Sequence, residues 1–235
     1  MPIKNILLLA AMPEEMEYFN QTFHFKRLEQ VSHIHFRHFE FNDLKIITAV
    51  SGIGKVNGAI CATLGYQVYG PDLIVNIGAS GGIHGDIRIG DVVIASELKH
   101  HDVNATQFGY EHGQVPRMPT GYQANQALIE CMMTTCAQLP FQLFSGLVCS
   151  GDSFISDAEV VVQLKNKFPE VLALDMESCG IAQACHQLGA EFFCIRGITD
   201  DASHSAHMDY KVALQLAMQN ANGVLEKLLV AIKEN

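Results

Sequence analysis

FPEVLALDMESCGIAQACHQLGAEFFCIRGITDDA, residues 168–202, sets isolated acids at the ends of otherwise apolar segments. The pattern predicts a strand over 171–174, a polar corner at Asp175 and Glu177, a helix over 179–188, a strand over 191–198 and a second polar corner at Thr199, Asp200 and Asp201. Strand, helix, strand in that order is a βαβ unit. Ligands of open α/β sheets bind beyond the carboxyl ends of the strands, so acids at such corners are better site candidates than acids on a helix face. Two corners in one unit would face one crevice.

Working outward, strands and helices alternate along the whole chain. A strand over 3–10 leads into Met12-Pro13-Glu14-Glu15, which starts a short helix with Pro in the first turn and acids at the positive end of its dipole. Residues 33–41 and 44–50 form a hairpin pattern around Asn42-Asp43. SGIGK (51–55) opens a helix to about Tyr69, and a buried strand over 72–76 ends in GASGG (78–82). A strand follows over 92–97, and then 100–122 shows no periodicity, a length of loop that usually serves function or an interface. Helices over 126–137 and 158–167, a strand over 143–148 and an amphipathic helix from near Asp209 complete the pattern. The class is α/β: a single domain, 1–235, with a central mixed β-sheet flanked by helices.

Composition narrows the function. The chain is 49% hydrophobic and only 17% charged, against roughly one quarter charged in typical soluble domains, which points to apolar surface reserved for a subunit interface. A formal charge of -10 without a Lys/Arg cluster argues against nucleic acid or anionic lipid as partner. Seven cysteines without a CxxC pair suggest buried thiols in a reducing compartment. The apolar run over 6–12 is short for a signal peptide, and Pro13-Glu14-Glu15 stands where a cleavage site would be, so it is expected to be a strand. No other segment approaches the length of a membrane span.

Several familiar motifs fail in context. Lys55 is followed by Val56, and Ala49 stands where a P-loop needs glycine. A dinucleotide fingerprint would need glycine at Asn57 and an acid at the end of the next strand, which Asp72 instead begins. His100-His101-Asp102 and His204-x-x-His207 lack a second ligand cluster, so no metal is expected. Ser80 and Ser153 lack the G-x-S-x-G elbow.

The acids are different. Glu15, Glu177 and Asp200 all fall at strand ends, and Arg196, four residues before Asp200 on one strand, should share its face. Glu15 alone could be a helix-dipole acid and Asp200 alone a cap. Jointly they offer what glycosidic cleavage needs: one carboxyl to protonate a leaving group and one to activate water.

AMPEE (11–15), SGIGK (51–55), GASGG (78–82), HDVNATQFGYEHGQVP (101–116), SGDSFI (150–155), LDMES (174–178) and RGITDDA (196–202) resemble, in order and spacing, bacterial 5′-methylthioadenosine/S-adenosylhomocysteine nucleosidases of the nucleoside phosphorylase superfamily. The resemblance spans nearly the whole chain and implies a cytoplasmic homodimer of single-domain subunits that needs no cofactor and serves methionine salvage. It further implies that Asp200 is the general acid at nitrogen 7 of adenine, that Glu15 activates water with help from Arg196, and that Glu177 grips the ribose hydroxyls. By the same resemblance Met176 packs on the sugar, Phe154 stacks on adenine, and the Ile155 backbone bonds its edge. Met12, Ile53, Ala105, Phe108 and Tyr210 would line the 5′-tail pocket, with Ala79 and Thr199 also in the site. Tyr110 and Pro116 would reach into the neighbouring subunit's site.

Chemically, Asp200 must keep its proton near neutral pH, which asks for burial or a nearby like charge. Three departures from the family pattern bear on efficiency and tail preference: Ala79 followed by Ser80 where the family has serine second, Asp175 for the first acid of E-M-E, and Tyr210 for a phenylalanine. The rival readings are a purine nucleoside phosphorylase, which would need cations at the nucleophile corner, and a noncatalytic purine-nucleoside binding protein, which would not need both Glu15 and Asp200.

Overall fold

The computed structural model describes residues 3–201 and 209–234. His204 and His207 lie outside them.

The chain forms β1 (Asn5–Ala10), α1 (Glu17–Thr22), β2 (Arg27–Val31), β3 (Ile34–Phe41), β4 (Leu44–Val50), α2 (Lys55–Tyr69), β5 (Leu73–Gly82) and β6 (Val92–His100). It continues with β7 (Tyr122–Gln123), α3 (Gln126–Thr135), β8 (Leu143–Ser150), α4 (Ala158–Lys167), β9 (Val171–Asp175), α5 (Ser178–Leu188), β10 (Phe192–Asp201) and α6 (Tyr210–Glu234). A 3₁₀ turn, Pro13–Met16, precedes α1, and another, Thr106–Phe108, interrupts the long loop. The α/β class and the mixed sheet expected from the sequence are what the chain adopts. Asn42 and Asp43 turn the β3–β4 hairpin with φ of 49° and 69°, the left-handed pair that a two-residue hairpin requires.

All ten strands form one sheet, and β5 is its hub. Along its first half β5 runs parallel to β1, with Ile6 opposite Leu73 and Leu9 opposite Asn76. Past Asn76 it leaves β1 and takes β9 antiparallel, Gly81 opposite Leu174. Its other edge pairs throughout with β10 in parallel. Since β10 also pairs with β6, β6 with β8 and β8 with β9, these five strands close on themselves, while β1, β4, β3 and β2 extend as a flap. Leaving one neighbour for another opens a gap beside the middle of β5. The site sits in that gap.

Two expectations need correction. The segment over 168–202 is not a parallel βαβ unit: β9 is antiparallel to β5 and β5 is parallel to β10, so α5 links strands of opposite sense. The two acid corners nevertheless meet, because β9 and β10 flank β5 from opposite sides and both end beside its last residues, where Leu174 and Asp200 both face Gly81. The hairpin arm also has an unforeseen partner in β2, whose sequence RLEQV is mostly exposed and carries no alternating apolar signal.

The apolar core fills both faces of the sheet, with Ile6, Leu7, Leu8 and Leu9 of β1 buried along with Ile74, Val75 and Ile77 of β5. β1 and the first half of β5 are covered on both sides, which is why they read as continuous apolar runs. Within that run Asn76 is buried and polar.

Candidate active site

Glu15 is placed by the 3₁₀ turn after β1. Its Oε2 accepts from the N–H groups of Ala11 at 2.8 Å and Met12 at 2.9 Å, and its Oε1 accepts from the N–H of Ala79 on β5 at 2.8 Å. The carboxylate therefore ties the turn to the hub strand while remaining buried. Burial pushes Glu15 above the usual carboxylate range, against the pull of Arg196 and these three N–H groups.

Arg196 is fully buried on β10. Its Nε lies 2.8 Å from Asp175 Oδ2, its Nη1 lies 4.0 Å from Glu177 Oε2, and its Nη2 donates to Asn76 Oδ1. Asn76 in turn donates to the Leu9 carbonyl at 3.0 Å. Burial alone would favour the neutral form of Arg196; Asp175, Cys194, Glu177 and Glu15 outweigh it and hold the guanidinium charged. Gly78 makes the arrangement possible, since a Cβ there would stand 2.3 Å from Arg196 Nη1 and 2.8 Å from Glu15 Oε1.

Asp175 closes β9 and is bound from several directions. Ser150 Oγ donates to its Oδ1 at 2.5 Å, Ser178 Oγ donates to its Oδ2, and the N–H groups of Glu177 and Ser178 point to Oδ1 at 3.3 Å each. It thus braces Arg196 and caps α5 together. Glu177, next along, accepts from the N–H of Gly54 at 2.9 Å. Burial and the adjacent Asp175 push its carboxyl up to about 7, against Arg196 and the Gly54 N–H.

Asp200 departs from expectation. A bulge between Ile198 and Asp200 shifts β10 by one residue against β5, so Arg196 faces Gly78 and Asp200 faces Gly81. The alternation that would have put both on one face is broken: Arg196 is inside and Asp200 is exposed at the crevice. The burial asked of a proton-holding acid is thus not supplied by the chain's own packing. Thr199 Oγ1 donates to Asp200 Oδ1 at 2.9 Å and fixes its orientation.

These groups border a crevice of two adjoining lobes. One, about 140 Å³, is lined by Met12, Glu15, Ile53, Ala79, Glu177 and Thr199. The other, about 280 Å³, is lined by Gly82, Ile83, Ser153, Ile155, Ser156 and Val161. Phe154, Met176, Asp200 and Tyr210 border both. Glu15 and Glu177 thus belong to the smaller lobe, and Asp175 and Asp200 to its junction with the larger one. Ala105 and Phe108, expected in this pocket, are not among its lining: Phe108, at the end of its 3₁₀ turn, is 80% exposed. Tyr110 and Pro116 do not border it either.

The Ser80 hydroxyl, beside Ala79, donates to the Leu174 carbonyl at 2.7 Å and so fastens β5 to β9. His100 Nε2 meets Gln183 Oε1 at 2.8 Å. Sequence reasoning missed Asn76, Ser150 and Ser178 as supports of the charged cluster. Asn76 had a legible signal, a lone amide inside the apolar run LIVNI; the two serines had none.

Comparison with known proteins places this architecture. The profile of the phosphorylase superfamily matches residues 5–230, and the chain belongs to that superfamily. A 5′-methylthioadenosine/S-adenosylhomocysteine nucleosidase of Staphylococcus aureus is 37% identical over 227 residues, covering 94% of this chain and 97% of the relative. One of Bacillus subtilis is 34% identical over 228 residues, covering 97% and 99%. The crystal structure of the Neisseria meningitidis nucleosidase in complex with methylthio-immucillin-A superposes with a TM-score of 0.91 at 31% identity, covering 97% of this chain and 100% of that one. Within the superfamily, the chain belongs to the 5′-methylthioadenosine/S-adenosylhomocysteine nucleosidases.

The cluster has a consequence for stability. A carboxyl whose pKa is higher folded than unfolded weighs against the fold once ionised; for Glu177 this penalty is absent below about 4.5 and full above about 7. Stability should fall with rising pH across that window by roughly 2–3 kcal/mol from this group. Glu177→Gln should flatten the slope. Denaturant midpoints between pH 5 and 8 check this, and equal slopes in the two proteins would contradict it.

Proposed function

We propose that this protein hydrolyses the N-glycosidic bond of 5′-methylthioadenosine, S-adenosylhomocysteine and 5′-deoxyadenosine, releasing adenine and the 5-substituted ribose. The observation that carries this reading is that Glu15 and Glu177 line the smaller lobe alone, while Asp200 lines both lobes where they join. Asp200 stands where the larger lobe, roomy enough for a flat base, joins the smaller one that holds Glu15 and Glu177. Asp200 protonates nitrogen 7 of adenine, which makes the base a better leaving group as positive charge develops on the sugar. Glu15, its proton affinity raised by burial, takes a proton from water at the sugar carbon. Glu177 holds the ribose hydroxyls beside Met176, Phe154 stacks on the base, and the Ile155 backbone meets its edge. Met12, Ile53 and Tyr210 lie beside the 5′ substituent.

Water rather than phosphate is the nucleophile on electrostatic grounds. No Lys or Arg lines either lobe among the described residues, and Arg196 is buried beneath them, already engaged with Asp175 and Asn76. A phosphate dianion beside Glu15 and Glu177 would find no cation lining the lobe to pair with.

The protein acts as a homodimer in this reading. Val56 and Ile60, one turn apart on α2, are 65% and 49% exposed, and Ile53 just before the helix is 50% exposed. They give α2 an apolar face that continues from Ile53 at the crevice and that a second subunit would cover. The loop carrying Ala105, Phe108, Tyr110 and Pro116 then reaches the partner's site rather than its own. Seven free cysteines fit a cytoplasmic location, and no described helix is long and apolar enough to cross a membrane.

Adenine release from 5′-methylthioadenosine should proceed in phosphate-free buffer and gain nothing from added phosphate. A phosphate requirement with a sugar phosphate as product would establish a phosphorylase instead, and no release in either buffer would favour a binding protein. Glu15→Gln and Asp200→Asn should each lower kcat by about 10²-fold or more; near-normal turnover would remove that residue from its role. The pair Val56→Glu and Ile60→Glu should yield monomers in sedimentation, and an unchanged dimer would place the interface elsewhere.

A further inference from the structure

Beside the crevice, three loop corners far apart in sequence are joined by a closed ring of polar contacts. Lys55 Nζ donates to Asp102 Oδ1 at 2.5 Å, and Asp102 Oδ2 accepts from the N–H of Asp152 at 3.0 Å. Asp152 Oδ1 accepts from the N–H of Lys55 at 2.9 Å, and its Oδ2 lies 3.8 Å from Lys55 Nζ. Partial burial raises the Asp102 carboxyl, but the Lys55 ammonium and the Asp152 N–H outweigh it and hold it below its ordinary value.

The ring substitutes for a local helix cap. α2 begins after Gly54, which has no side chain to offer, so Asp152 supplies the capping carboxylate from another loop. Gly54 must be glycine for this: its φ is 104°, and a Cβ would stand 3.3 Å from Asp152 Oδ1. Lys55 is held in turn by α5, where a Cβ at Gly180 would come within 2.6 Å of the Lys55 carbonyl oxygen. Two successive amides at the start of α2 thus bind two acids of different duty. Gly54 holds Glu177, and Lys55 holds the loop that carries Phe154 and Ile155.

We propose that Lys55, with Asp102 and Asp152, is a positioning unit that fixes the Phe154 loop relative to Glu177, and so governs how tightly the nucleoside is held rather than how fast its bond breaks. None of the three side chains lines either lobe. The span between the surface that stacks on the base and the acid that grips the ribose is nevertheless set through them. The inference rests on the nucleosidase reading of the crevice.

The test uses the full-length protein and the variants Lys55→Met, Lys55→Arg and Asp102→Asn. Lys55→Met should raise KM for 5′-methylthioadenosine by about tenfold with kcat within about threefold, weaken adenine binding in calorimetry to a similar degree, and leave the melting temperature little changed. Lys55→Arg should recover most of the loss, and Asp102→Asn should resemble Lys55→Met more mildly. Hydrogen exchange over 51–55, 100–104 and 150–156 should rise together in Lys55→Met. Unchanged KM and exchange, a fall in kcat at constant KM, or losses that track melting temperature alone would each overturn the proposal. If the wild-type protein releases no adenine, the nucleosidase reading fails by itself, and the exchange measurement still decides whether the ring holds the loops.

Discussion

One buried guanidinium organises this protein's crevice. Arg196 sits in the interior at the meeting of β5, β9 and β10, facing Asp175, Glu177 and Glu15. A charge removed from water is tolerated only when partners surround it, and three carboxylates around one cation leave an excess of negative charge. Burial raises the proton affinity of the outer two acids, and for Glu177 the neighbouring Asp175 adds to it. Glu177 rises to about 7 and Glu15 rises as well, while Asp175, nearest to Arg196, is enclosed by hydroxyl and N–H donors. Burial, which costs the fold stability, is what raises the proton affinity of Glu15.

The backbone is shaped around this cluster. β5 changes partners midway, which opens the space, and Gly78 leaves room for the guanidinium to pass close to the strand. The bulge in β10 then releases Asp200 from the buried face on which Arg196 lies. Two groups four residues apart consequently work in opposite surroundings, one dry and paired and the other open to a ligand. Arg196 is engaged below the floor of the crevice with Asp175 and Asn76, and its charge acts on both Glu15 and Glu177.

Much of this was legible in sequence. Acids at strand ends, glycine-rich corners and the alternation of strands and helices located the crevice and its class, because each is a local consequence of residue type. What escaped was non-local. The opposite sense of β9 and β10 depends on which strand lies between them. The bulge at Thr199 broke a period-two argument that was sound for a regular strand. Ser150, unremarkable in its own segment, becomes a support of Asp175 only when β8 is laid beside β9, where Ser178 at the start of α5 joins it. Ala105 and Phe108 were matched to the pocket by motif, yet neither lines either lobe of the chain's own crevice.

The central claim is that Arg196 is the counter-charge that makes the buried carboxylates tolerable at neutral pH. The direct measurement is the denaturant stability of Arg196→Met, which keeps bulk and removes charge, beside the wild type at pH 5 and pH 8. The account predicts a loss on the order of 3–5 kcal/mol at pH 8 that shrinks at pH 5, where protonation of Glu177 and Glu15 relieves them of needing a partner. A loss of equal size at both pH values would contradict it and make Arg196 a packing residue.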